Sequence, residues 1–176
     1  MSMKKNIILL CTTVILIVLS GCKSRLDAGN PDEEFVDSVI NHAQLFNFAA
    51  FANQLEACPI LDSAYKYSER PPSWLSVGSK YIRMNGEFVA IYAYGSVEDA
   101  KRDAGYISRC GFSIHQPNPA GEGFIFHNIS WVSWPYWFMR DLIIVRYVGE
   151  CDVVINILKE VLGDNFAGYG VYDNHH

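Results

Sequence analysis

Few residues in this chain stand at spacings that could do chemistry. Cys22 follows Leu19-Ser20-Gly21 at the end of an apolar run, so its thiol is presented on an extended, small-residue segment and is open to alkylation. Cys110, His115 and His127 are the nucleophile and base candidates, because a thiolate attacks only when a neighbouring imidazole can hold its proton. Cys110 and His115 flank an expected turn, nothing marks either as activated, and no catalytic residue is assigned. The terminal pair His175 and His176 can hold a metal loosely, but a frayed end is the plainer reading. Cys58, Cys110 and Cys151 show no CxxC spacing, so no metal site and no cofactor is expected. HExxH, GxSxG and phosphate-cradling glycine motifs are absent from the sequence. Glu150 and Asp152 flank a helix start, where a carboxylate favours the dipole without needing a catalytic role. The densest stretch is Trp131-Val132-Ser133-Trp134-Pro135-Tyr136-Trp137-Phe138, with five aromatics in eight residues. Trp131, Trp134, Tyr136 and Trp137 are the candidate ligand or partner surface. Packing into the core is the stronger alternative for the same rings, and Pro135 should turn some of them out at a loop or strand edge.

Lys4 and Lys5 precede thirteen almost wholly apolar residues, Ile7 to Leu19. That run is too short to cross a hydrocarbon core of about 30 Å in comfort, and its proportions are those of a secretory signal peptide. With Ser20, Gly21 and Cys22 after it, the segment resembles the lipobox of bacterial lipoproteins. The resemblance implies cleavage between Gly21 and Cys22 and diacylglyceryl lipidation of Cys22. The expected organisation is residues 1-21 as signal peptide, 22-33 as lipidated tether and 34-176 as one globular domain. An uncleaved hydrophobic anchor would place the domain at the same membrane. One acyl chain holds marginally at about 0.8 kcal/mol per buried methylene, whereas two or three hold firmly. Lys23 and Arg25 are too few for a polybasic signal. The expected location is therefore the bacterial cell envelope, facing the periplasm or exposed at the surface, with membrane lipid as a partner through Cys22.

Without residues 1-21 the chain has 155 residues, enough for one domain with a real core. Lys4 and Lys5 leave with the signal, so 12 basic residues face 19 acidic ones and the net charge is -7. An acidic domain with no basic stripe is a poor nucleic-acid binder, and that class of partner is set aside. Three cysteines remain. One disulfide with one free thiol is compatible with an oxidising compartment, and small buried thiols are the plainer reading.

The elements that must position these residues follow from periodicity. Pro31-Asp32-Glu33-Glu34 marks a helix start, and apolar residues through Phe46 and Ala50 carry that helix to Glu56. Ile60 to Ser68 reads as a strand. Asn85-Gly86 between Lys80-Met84 and Glu87-Tyr94 predicts a type I′ hairpin. Ser96-Val97-Glu98-Asp99 predicts a helix start of the capping-box type, and Val97, Ala100, Ala104 and Ile107 line one face of the helix. Cys110-Gln116 and Ile125-Val132 are short strands around a Pro/Gly loop. Leu142 to Val148 is a buried strand, followed by an amphipathic helix from Val153 to Leu162 that Gly163 ends. The fold class is α+β, a two-layer sandwich in which helices pack on one face of a mostly antiparallel sheet.

From about Ser76 to Gly168 the pieces resemble a group of small, uncharacterised bacterial lipoproteins. The matching residues are Arg83-Met84-Asn85-Gly86-Glu87, Val89 to Tyr94, Ser96 to Ser108, Trp131-Val132, Leu142 to Gly149, Glu160 to Gly163 and Phe166-Ala167-Gly168. Members of that group often carry Pro-Pro-His after the tryptophan, where this chain has Trp134-Pro135-Tyr136. The resemblance implies an envelope lipoprotein and no reaction. The expected function is a non-catalytic binding or interaction module, with a protein or small-molecule partner. The alternative is an envelope hydrolase whose site is assembled from distant residues.

Overall fold

The computed structural model describes residues 45–62, 68–72 and 74–171. Gly21, Cys22, the tether, the helix start at Pro31 and the terminal histidines lie outside the described residues. All described residues belong to one unit, Asn41–His176.

The first described helix, α1 (Phe48–Glu56), starts later than periodicity suggests. Asn47 ends the preceding segment by capping: its side-chain oxygen accepts the Ala50 N–H at 3.0 Å. Phe46 is thereby left outside the helix and is tied across the fold, its N–H donating to Asp141 Oδ2 at 2.9 Å. The Arg140 guanidinium sits 4.1 Å from the Phe46 ring centroid.

Strands β1 (Ser68–Arg70), β2 (Ser79–Met84) and β3 (Glu87–Ala93) follow. The β2–β3 turn is as the dipeptide predicts: Asn85 and Gly86 take φ 49° and 83°, the two positive values of a type I′ turn. Helix α2 (Val97–Tyr106) is capped by Ser96, whose Oγ accepts the Asp99 N–H at 3.1 Å. The Ser96 hydroxyl, with Arg102, holds the Asp99 carboxyl below the usual carboxylate range. Strands β4 (Ser113–Pro117) and β5 (Phe124–Asn128) pair with each other and with no other strand among the described residues, and Ile114 of β4 adds a single bridge to Ile107. Both are shorter than the periodicity suggests: a turn at Gly111 (φ 75°) occupies residues 108–111 before β4 begins, and β5 ends at Asn128.

Strands β6 (Pro135–Arg140) and β7 (Ile143–Val148) form a second hairpin, helix α3 (Asp152–Leu162) follows, and β8 (Ala167–Gly168) closes the sheet. The main sheet has six strands in the order β1-β2-β3-β7-β6-β8, every pairing antiparallel. The fold is α+β.

Strand alternation builds two cores, one on each face of the sheet. Val89, Ile91, Phe138, Val145 and Tyr147 meet Phe51 and Leu55 of α1 and Val154, Leu158 and Leu162 of α3. Ala90, Tyr92, Trp137 and Ile144 meet Ala100 and Ala104 of α2, with Leu75, Ile107 and Ile114. Helices α1 and α3 thus share one face, but α2 covers the other together with the β4–β5 ribbon, where all the helices were expected on a single face. Burying Asp103 makes this second helix placement possible. It accepts from Ser76 N at 2.6 Å, Ser76 Oγ at 2.7 Å and Tyr94 Oη at 3.1 Å, so a carboxylate on the apolar face of α2 is satisfied.

Candidate functional site

Register across four strands sets one transverse row on the α2 face. Tyr81 pairs with Ala90, Ala90 with Arg146, and Arg146 with Trp137. Ala90 is the smallest member, so space remains above the guanidinium of Arg146. A cavity of about 630 Å³ opens there. Ala90 and Arg146 line it with Phe88 and Val148 farther along the strands. Trp131 and Ser133 come from the loop before β6, and Glu87 and Glu150 also line the cavity.

Arg146 is only 8 % exposed. Its guanidinium carbon lies 4.6 Å from the Trp131 ring centroid, 5.5 Å from Trp74, 5.6 Å from Trp137 and 6.0 Å from Tyr92. Nη2 donates to Tyr81 Oη at 3.2 Å, and the buried Nη1 has no hydrogen-bond acceptor. Among the described residues no carboxylate forms an ion pair with it. Arginine cannot shed its proton to escape this setting. Desolvating an ion costs several kcal/mol, and each ring face returns about 0.5–2 kcal/mol. Tyr92 supplies no counter-charge: burial pushes its phenol up to about 12, against the opposing pull of the Arg146 cation.

The cage is held by one carbonyl. Gly111 O accepts from Trp131 Nε1 at 2.9 Å and from Trp137 Nε1 at 3.2 Å, and φ 75° at Gly111 turns that carbonyl toward both indoles. Trp74 is fixed from the other side. Its ring meets Trp131 edge-on at 5.6 Å, and its carbonyl accepts from Gln116 Nε2. The neighbouring Ser76 is bonded to Asp103 of α2.

The four aromatics put forward as a surface are therefore divided. Trp131 forms a wall of the cavity. Trp134 is 46 % exposed and lies against Phe112 and Tyr169. Trp137 and Tyr136 are buried on opposite faces of β6, Trp137 beside Arg146 and Tyr136 stacked on Tyr147 at 6.0 Å, so neither presents a face to a partner. Pro135 does not expose them. It opens β6, where its missing N–H costs no ladder bond, and its carbonyl accepts the Tyr169 N–H at 3.0 Å.

Cys110 and His115 take separate partners. Cys110 Sγ lies 3.3 Å from Ser108 Oγ, and His115 Nε2 lies 3.0 Å from Ser113 Oγ with its ring against Phe126. Among the described residues no carboxylate orients His115, so the Ser113–His115 contact lacks the third group that would activate a hydroxyl. Cys58, Cys110 and Cys151 are free thiols. No cluster of three or more His, Cys, Asp or Glu among the described residues could hold a metal ion.

Sequence reasoning passed over Arg146, Trp74, Tyr81 and Glu87 as site residues and read Glu150 only as a helix-dipole partner. One signal was present: Arg146 is the single charge inside the apolar run Leu142–Val148, and a charge in a buried strand requires something to face. Comparison of the chain with protein-family models, curated proteins and solved structures returns no match.

Proposed function

We propose that this chain is a lipid-anchored protein of the bacterial cell envelope whose α+β domain binds a ligand without transforming it. Its binding site is the cavity over Arg146. The observation that carries the reading is the buried guanidinium with one unpartnered nitrogen at a cavity walled by Trp131. An anionic group placed there would answer a charge that the described residues leave to ring faces and the Tyr81 hydroxyl, and a planar carboxylate matches the fork of a guanidinium.

Calorimetric titration of the full-length protein with 3-phenylpropionate, an aromatic carboxylate, tests the site. Binding should weaken at least tenfold in Arg146→Met, which keeps the side-chain length and removes the charge, with the circular dichroism spectrum retained. Equal affinity in the variant, or no binding by the parent, would remove the site from consideration. The address has its own test. Metabolic labelling with a radioactive fatty acid should mark the parent and leave Cys22→Ser an unlabelled, uncleaved precursor. Normal labelling of that variant would rule out Cys22 as the anchor.

A further inference from the structure

A second cavity opens beside α3, against the core on the sheet face opposite Arg146. Its volume is about 520 Å³, within the roughly 300–1,000 Å³ typical of small-molecule sites. One wall is a stripe of α3, where Asp152, Ile155, Asn156 and Lys159 stand at i, i+3, i+4 and i+7. The chain after that helix supplies another wall, through Asp164, Tyr169 and Val171. This second wall is tied down. Asn165 Nδ2 donates to Ala167 O at 3.1 Å and to Tyr169 O at 3.0 Å. Arg109 Nε donates to Val171 O at 3.2 Å, and the Tyr169 N–H donates to Pro135 O at 3.0 Å.

Tyr136 reaches the cavity from β6. It is only 6 % exposed, with its ring stacked on Tyr147 at 6.0 Å and edge-on to Tyr169 at 5.9 Å. Among the described residues no hydrogen bond engages its Oη. Burial, with Tyr169, Asp152 and Glu150 nearby, raises this phenol above its ordinary value, so it remains a donor without an acceptor.

Four charges line the same cavity, Arg109 and Lys159 against Asp152 and Asp164. None of them forms an ion pair among the described residues. Lys159 stands two turns along α3 from Asp152, and Asp164 follows the helix end, so the signs alternate along the wall. A simple anion or cation would meet its own sign there as well as the opposite one. A neutral ligand with many hydroxyls, each both donor and acceptor, answers all of these groups. Tyr169 adds an aromatic surface. It is 45 % exposed and is supported by Trp134 at 5.1 Å. A pyranose ring with equatorial hydroxyls combines both requirements, since its polar groups lie around the rim and its faces are C–H surfaces suited to an aromatic ring.

We propose that this cavity is a saccharide site for a neutral, glucose-configured sugar. A C–H face of the sugar packs on Tyr169, and its hydroxyls meet Tyr136 Oη and the polar groups of Asp152, Asn156, Lys159 and Asp164. The site is separate from the cavity over Arg146 and does not depend on the anion reading.

The test is saturation-transfer NMR of the full-length protein in a polyoxyethylene detergent, with cellobiose as the probe. Saturation should pass from the protein to the sugar's ring C–H protons. The dissociation constant should rise at least tenfold in Tyr169→Ala. It should rise about fivefold in Tyr136→Phe, the worth of one neutral hydrogen bond. Tyr136→Phe removes a hydroxyl that holds nothing within the described residues, so its circular dichroism spectrum should match the parent's. Neither serine, a zwitterion, nor 3-phenylpropionate should displace cellobiose. No transfer to cellobiose, or parental affinity in either variant, would overturn the saccharide site. Displacement by serine would overturn it in favour of a zwitterion site, and displacement by 3-phenylpropionate would overturn it by moving the sugar to the cavity over Arg146.

Discussion

Trp137→Ala should destabilise the domain by about 3–5 kcal/mol, the usual cost of truncating a fully buried aromatic. Trp134→Ala should cost under about 1 kcal/mol, as for a surface ring with partial contacts. The two tryptophans are three residues apart in one aromatic run, and the difference between them is one of placement. Trp137 has no exposed surface, stacks on Tyr92 at 6.2 Å, contacts Arg146 and donates to Gly111 O. Its loss opens a void beside a desolvated cation and leaves the Gly111 carbonyl with one donor fewer. Trp134 is 46 % exposed and its partners Phe112 and Tyr169 lie at the periphery. Urea unfolding followed by circular dichroism reads both. Matching midpoints for the two variants would contradict the burial of Trp137.

Asp103→Ala should be nearly as severe, at about 3–4 kcal/mol. Hydrogen bonds to a charged group contribute roughly 1.5–3 kcal/mol each, and the change orphans donors from Ser76 and Tyr94 together. Tyr94 remains a phenol in the folded protein, since burial and the neighbouring Asp103 charge push its ionisation well above the ordinary value. It therefore stays a donor that needs an acceptor. The damage should also reach the cavity. Ser76 belongs to the loop that carries Trp74, and Trp74 is one of the rings over Arg146. Asp103→Asn, which keeps an acceptor, should retain ligand affinity better than Asp103→Ala at equal fractions folded. A loss below about 1 kcal/mol in Asp103→Ala would mean that the loop is held by other contacts.

Local chemistry was legible in the sequence wherever a few adjacent residues decide the geometry. Asn85-Gly86 dictated its turn, Ser96 its cap, and the spacing of Val154, Leu158 and Leu162 the buried stripe of α3. The start of α1 was not legible, because Asn47 reads equally well as an exposed polar position within a helix or as its cap. The helix on the second face was hidden for a related reason. Asp103 looks like a solvent-facing residue until Ser76 and Tyr94, distant in sequence, supply its bonds. The site was the least legible part. Alternation shows which residues of β7 share a face, but not that Ala90 and Trp137 flank Arg146. That row depends on pairing between strands more than fifty residues apart for β3 and β7. The aromatic run drew attention to the right loop, through Trp131, and away from the cation that gives this tryptophan its importance.

Two residues at one border of the sheet bear on how the molecule fails. β6 is an inner strand only because Ala167 and Gly168 lie along it. That fit depends on glycine: φ is 99° at Gly168, and a Cβ there would collide with the Pro135 carbonyl oxygen. The opposite border, Ser68-Glu69-Arg70, is short and charged, and so is a poor template for another chain. The Ala167 side has no such defence. If that short cover were cut or displaced, β6 would present unpaired backbone flanked by Tyr136, Trp137 and Phe138, an apolar, aromatic template for pairing with a second molecule. Aggregation of this protein should therefore begin with peeling of residues 167–168, before the cores on either face melt. Resistance to aggregation would be improved more by fastening that segment than by strengthening either core.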